Sequence, residues 1–192
     1  MDYGVALLEP AVNLHRLSEI LDGVGHQGRV AAMNRMTPKQ MADLYEAAKG
    51  FRPLTLDHFV PAGTEPLKEV IHEGKNSLAA FTAFQKRFCR LPEKTDELGG
   101  YNHQAMGWFT GPGYFVAHDY TEPGEIGIDY YKVPTVKPEA WPAIRDNDGG
   151  FGQFVYGKMV DVMRGVSEHV SIGRAVRNGK VADNWFVLVR QP

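Results

Sequence analysis

Apolar positions along this chain change period near its middle. From Val12, a helix-like spacing carries Leu14, Leu17, Ile20 and Leu21, with Pro10 placed for a first turn and Gly23 and Gly25 as terminators. His26–Met36 predicts a second helix through Val30, Ala31, Met33 and Met36. Thr37-Pro38 reads as a cap followed by a first-turn proline, and Met41, Leu44, Tyr45 and Ala48 complete a third helix that stops at Gly50. Residues 51–74 are irregular. A fourth helix is then expected, capped by Asn76, striped by Leu78, Phe81, Phe84 and Phe88, and stopped by Pro92. That stripe reads as core packing, not as a cofactor box. On this helix Lys86, Arg87 and Arg90 form the densest basic stretch, expected as a solvated face.

Past Gly99-Gly100 the period becomes two. Met106–Thr110, Tyr114–Tyr120 and Glu125–Val133 read as strands, separated by Gly111-Pro112-Gly113 and Thr121-Glu122-Pro123-Gly124. A connection punctuated by Pro134, Pro138 and Pro142 follows and ends in Asp146–Gly150; its length suits a lid. Phe154–Val166 carries both a helical spacing and strand-like valines, with strand preferred. Val170–Arg177, a hairpin signal at Asn178-Gly179, and Asp183–Arg190 close the chain. Six strands joined mostly by short turns predict an antiparallel meander. The expected class is therefore α+β: a single domain, helical over 1–98, with a curved antiparallel sheet or small barrel over 99–192. In outline this resembles lipocalin-like (calycin) and cystatin-like cone folds.

Composition sharpens the picture of the second half. Fourteen of the twenty-one aromatic residues, including all three tryptophans, lie from Gly99 onward, as do fourteen of the twenty-one glycines. Aromatics supply lining, and glycines such as Gly107, Gly127 and Gly173 would leave room on a concave face. The net charge of −2 offers no basic footprint for nucleic acid. Cys89 is the only cysteine, so no intrachain disulfide forms. With no signal-like N-terminus and no apolar run long enough for a span, a cytoplasmic protein is expected, without membrane association.

Candidate chemistry is sparse. No phosphate-binding glycine loop, nucleophile elbow or paired-histidine metal motif occurs, so neither metal nor cofactor is expected. Tyr101-Asn102-His103 followed by Trp108 could orient a polar ligand head, and Tyr101, His103 and Trp108, with Tyr114 and Tyr131, are candidate ligand-binding residues on a sheet-lined cavity. His118 and Asp129 are a candidate acid–base pair if their strands are neighbours, since a carboxylate fixes the imidazole tautomer. Asp161 and Arg174 are expected as an ion pair, with Arg174 alternatively a clamp for a ligand carboxylate. Cys89 reads as a small buried hydrophobe. The functional expectation is a small-molecule binding protein holding an apolar or aromatic ligand. The alternatives are a cofactor-free isomerase, dehydratase or hydrolase using His118 and Asp129, and an interaction module. A homodimer completing the sheet edge is a further expectation.

Overall fold

The computed structural model describes residues 12–78, 82–103, 112–145 and 158–192. Three ten-residue helices open it: α1 (Leu14–Gly23), α2 (His26–Arg35) and α3 (Pro38–Ala47), followed by the single turn α4 (Leu56–Phe59). Their ends are set locally. Asn13 caps α1 through its side chain, and Thr37 with Gln40 forms a reciprocal capping box on α3.

Eight antiparallel strands then form a closed barrel in sequence order: β1 (Val70–Asn76), β2 (Ala83–Leu91), β3 (Lys94–His103), β4 (Tyr114–Asp119), β5 (Ile126–Asp129), β6 (Met159–Gly165), β7 (Val170–Arg177) and β8 (Lys180–Arg190). Pairing of β1 with β8 closes the ring, so among the described residues these eight strands leave no open edge. The α+β class and the antiparallel meander stand as expected, with eight strands instead of six.

Two expectations are corrected. The helix expected from the Asn76 cap to the Pro92 stop is not found among the described residues: Asn76 ends β1, and Ala83–Leu91 is β2. Phe84, Lys86 and Phe88 alternate with Gln85, Arg87 and Cys89, a period of two. Cross-strand pairing to Gly74, His72 and Val70 of β1 outweighs the coincidental helical spacing of the phenylalanines. The helical portion consequently does not reach residue 98, because the barrel begins at Val70. Expected strand 106–110 lies outside the described residues. Of 154–166, residues 159–165 are strand.

The barrel wall has two packed faces. Helices α1–α3 cover the outside of β7 and β8, where Leu17, Leu21, Met33, Met41 and Leu44 meet Ile172, Val187 and Val189. Lys75 on β1 fastens this layer by donating to the carbonyls of Asn34 and Met36 at the end of α2. On the far side, Trp141 from the β5–β6 connection lies over Tyr101 and Tyr114 on the outer face of β3 and β4.

Inside, α4 plugs one end. Phe59 is fully buried, and its ring centroid lies 5.1 Å from that of Phe88. His72 donates from Nε2 to the Phe59 carbonyl at 2.9 Å. Arg190 donates to the carbonyls of Asp57 and His58. An aromatic column continues upward from Phe59 through Phe88 and Phe115 to Tyr130, with successive centroids 5.1 to 5.5 Å apart. Gly100 is required by this column: a Cβ there would stand 2.3 Å from the Phe115 ring and 2.6 Å from the Arg87 carbonyl. Gly173, expected to leave open space, is instead covered by Phe186 and Met163. Gly127 faces outward beside Tyr120 and His118. Gly107 lies outside the described residues.

Candidate functional site

Lumen-facing positions are fixed by alternation. On β2 these are Phe84, Lys86, Phe88 and Arg90; on β3, Leu98, Gly100 and Asn102; on β6, Met159, Asp161 and Met163. Asp161 sits opposite Ile128 of β5, whose next lumen-facing residue along the chain is Tyr130. Four polar side chains therefore converge inside an otherwise apolar interior. They lie towards the end of the barrel opposite the α4 plug, near the starts of β2 and β6 and the ends of β3 and β5.

Lys86, Asn102, Tyr130 and Asp161 are each between 2% and 5% exposed. Lys86 Nζ donates to Asn102 Oδ1 at 2.9 Å, to Asp161 Oδ2 at 3.1 Å and to the Tyr130 hydroxyl. Tyr130 in turn donates to Asp161 Oδ2 at 3.2 Å and accepts from Asn102 Nδ2 at 2.9 Å. The lysine thus spends all three N–H bonds, as a buried ammonium must. Its pKa is pulled down by burial, while Asp161 opposes that shift through charge and hydrogen bonding. Phe84, Phe115, Tyr130 and Phe186 surround the ammonium, their centroids 5.0 to 5.6 Å from Nζ.

Lys86 was expected on a solvated helix face; reading the segment as strand moves it into the lumen. Of the expected ligand-orienting run Tyr101-Asn102-His103, only Asn102 faces the lumen, and sequence reasoning gave Tyr130 no role of its own. The available signal was the lysine between Phe84 and Phe88 at strand spacing, a charge on an aromatic face. Arg87 points outward and pairs with Glu69. Arg90 turns to the plugged end, where it meets Asp57 and the Val60 carbonyl.

Asp161 and Arg174 do not pair, which corrects the expected ion pair. Asp161 is opposite Ala175 and Arg174 opposite Val162, so the two side chains leave opposite faces of the wall. Arg174 packs over the Trp185 ring on the outside and meets Asp183 and Glu46. That position also rules it out as a lumen clamp.

Alternation likewise takes Tyr101 and His103 outward, since Gly100 and Asn102 hold the lumen face of β3. Tyr114, opposite Tyr101, packs with it under Trp141 and donates from its hydroxyl to the Pro142 carbonyl. These residues anchor the connection to the outer wall; they do not line the lumen. Tyr131 is 57% exposed. Trp108 lies outside the described residues.

His118 and Asp129 do come together, with Nε2 3.6 Å from Oδ2. The pair lies on the outer surface of β4 and β5, because Ala117 and Ile128 take the lumen face. The other ring nitrogen, Nδ1, sits 2.7 Å from the Asp119 carbonyl. The pair is kept apart from the lumen by the barrel wall.

Cys89 is buried on the outer wall near Trp141, and desolvation with the nearby Glu69 pushes its thiol up to about 12. A cavity of about 120 Å³ lies at the plugged end, between Arg52, the Glu122–Glu125 turn and Arg164. Its arginines are already committed, Arg164 to Glu125 and Arg52 to Asp22. Among the described residues, no group of three or more histidine, cysteine, aspartate or glutamate side chains is placed to hold a metal. No helix among them is long and apolar enough to cross a membrane. No family model, curated protein or solved structure matches the chain.

Proposed function

We propose that this barrel binds a small, largely apolar or aromatic molecule in its lumen, towards the end opposite α4. The polar end of the ligand lies against the Lys86–Asp161–Tyr130–Asn102 cluster, and its body lies against Phe84 and Phe186. The observation that carries this reading is the buried charged cluster itself. A barrel interior filled for stability alone is served better by apolar side chains, because replacing a buried ion pair with well-packed hydrophobes is often neutral or stabilising. Here polar groups from β2, β3 and β6 and from Tyr130, just past β5, meet at one level, ringed by aromatics. That combination of apolar lining and a few convergent polar groups is the usual chemistry of a small-molecule site.

The reading replaces Arg174 and Tyr101 by Lys86 and Asp161 as the orienting groups. It is favoured over acid–base catalysis at His118 and Asp129, because that pair sits on the outer wall of β4 and β5, away from the lumen. The test is a titration with Nile red, a neutral apolar dye whose emission reports burial, together with native mass spectrometry of the purified protein. Saturable one-to-one dye binding is expected, weakened about tenfold or more when Phe84 and Phe186, against which the body of the ligand lies, are both replaced by alanine. Absence of saturable binding, or affinity unchanged in a folded double variant, rejects the reading.

A further inference from the structure

Resting on that lumen reading, we infer that the ligand is uncharged and that its polar end donates a hydrogen bond, as an alcohol or an amide N–H does. Acids are discriminated against. The argument is an accounting of charge and hydrogen-bonding capacity in the cluster. Lys86 and Asp161 face one another at 3.1 Å as base and acid, so their charges cancel whichever of the two holds the proton. A carboxylate brought beside them would be an unpaired buried anion, and every Nζ hydrogen of Lys86 is already donated. An ammonium would be an unpaired buried cation. A neutral head adds no unpaired charge to a desolvated site.

The open capacity is all of one kind. The Tyr130 hydroxyl donates once and accepts twice, from Lys86 and Asn102. Asn102 Nδ2 is shared between Tyr130 and the Gly113 carbonyl. Asp161 receives both of its bonds on Oδ2, and among the described residues no bond reaches Oδ1. Asn102 Oδ1 accepts one bond and has a second lone pair. The positions still able to bond are therefore acceptors, and their complement is a donor. Selection by an acceptor-rich, neutral cluster is the reverse of what a lone buried lysine would suggest, which is a carboxylate site.

Four probes of equal chain length test this: a long-chain primary alcohol, its methyl ether, the corresponding fatty acid and the primary amine. Each displaces Nile red at pH 7 from the wild type and from the Lys86→Met/Asp161→Met double variant. In the wild type the alcohol should bind at least about tenfold tighter than the ether, which cannot donate, and tighter than the acid by a similar factor or more. In the double variant, alcohol and ether should come within about twofold of each other. An acid that binds as well as the alcohol, an ether that matches the alcohol, or an amine that exceeds it overturns the inference while leaving the lumen reading in place. Failure of all four to displace the dye removes both.

Discussion

Acid should loosen this protein through His72 before other groups are considered. The ring is fully buried in the lumen, with Nε2 donating to the Phe59 carbonyl and Nδ1 facing no partner. Burial brings its pKa from 6.5 down to about 3; the Phe59 bond is the next-largest contribution and opposes the shift, and the Arg190 and His169 charges add to the lowering. In the unfolded chain the imidazole titrates normally. Between pH 6.5 and about 3, the unfolded state therefore holds a proton that the native state refuses. Stability is complete above pH 6.5 and falls as pH is lowered, at about 1.4 kcal/mol per pH unit for one such group. From pH 6.5 to pH 4 that amounts to about 3.4 kcal/mol, a large share of the roughly 5–15 kcal/mol that holds a typical domain together.

His58 adds to the effect with the same sign. It lies in the plug helix α4 itself, its Nε2 has no partner, and desolvation holds its pKa well below 6.5. Urea unfolding followed by tryptophan fluorescence at pH 7, 6, 5 and 4 reads the slope. His72→Gln keeps a donor for the Phe59 carbonyl but cannot titrate. Its stability at pH 7 should drop by about 1–3 kcal/mol for an imperfectly satisfied amide. Below pH 6.5 its profile should be shallower than the wild type by about 1.4 kcal/mol per unit. Parallel profiles for the two proteins would show that His72 is not the group being protonated and would refute the reasoning.

Other substitutions probe different parts of the wall. Lys86→Met leaves Asp161 buried without its cation and should cost about 3–5 kcal/mol, whereas the Lys86→Met/Asp161→Met double variant should recover much of that in urea unfolding; equal losses would deny the coupling. Gly100→Ala drives a methyl into the Phe115 ring and the Arg87 carbonyl and should destabilise by about 1–3 kcal/mol, partly relieved by Phe115→Leu in a thermal melt. Trp141→Ala empties the outer-wall packing on Tyr101 and Tyr114, at a cost of about 3–5 kcal/mol, without changing Nile red affinity in the lumen. Cys89, buried and with its thiol at about 12, should resist an aromatic disulfide reagent at pH 8 until urea unfolds the chain; rapid labelling of native protein would contradict its placement.

The parts of this fold that were readable from the chain are those specified by neighbours in sequence. The Thr37–Gln40 capping box acts over three residues, and the Asn178-Gly179 turn places both residues at positive φ, as its sequence implies. The missed strands β1 and β2 show the opposite case. Leu78, Phe81, Phe84 and Phe88 satisfy a helical spacing, and only pairing to a partner strand makes the period-two reading of residues 83–91 prevail. The inward and outward faces of β3 and β4 were also reversed. Helices cover part of the outer wall and the Trp141 connection covers another part, so the outside of the barrel is nearly as apolar as the inside. Alternation then marks two faces without saying which one is the lumen.

The polar cluster was hidden for a related reason. Its contacts join residues 16, 44 and 75 positions apart, and each member alone has an ordinary explanation: a surface lysine, a loop asparagine, a core tyrosine, a strand aspartate. What distinguishes them is that barrel closure and register bring all four to one level of the lumen. Lys86 faces Asn102 across one pairing, Asp161 faces Ile128 across another, and Tyr130 follows two residues later. Such convergence is costly in conformational entropy and desolvation, and neither cost is recovered by burying apolar surface. An apolar quartet at the same four positions would escape the desolvation penalty and would keep the barrel closed. The difference between the two interiors is that only the polar one presents unused acceptors, on Asp161 and Asn102, beside Phe84 and Phe186. That difference favours a ligand over the fold as the reason for the cluster.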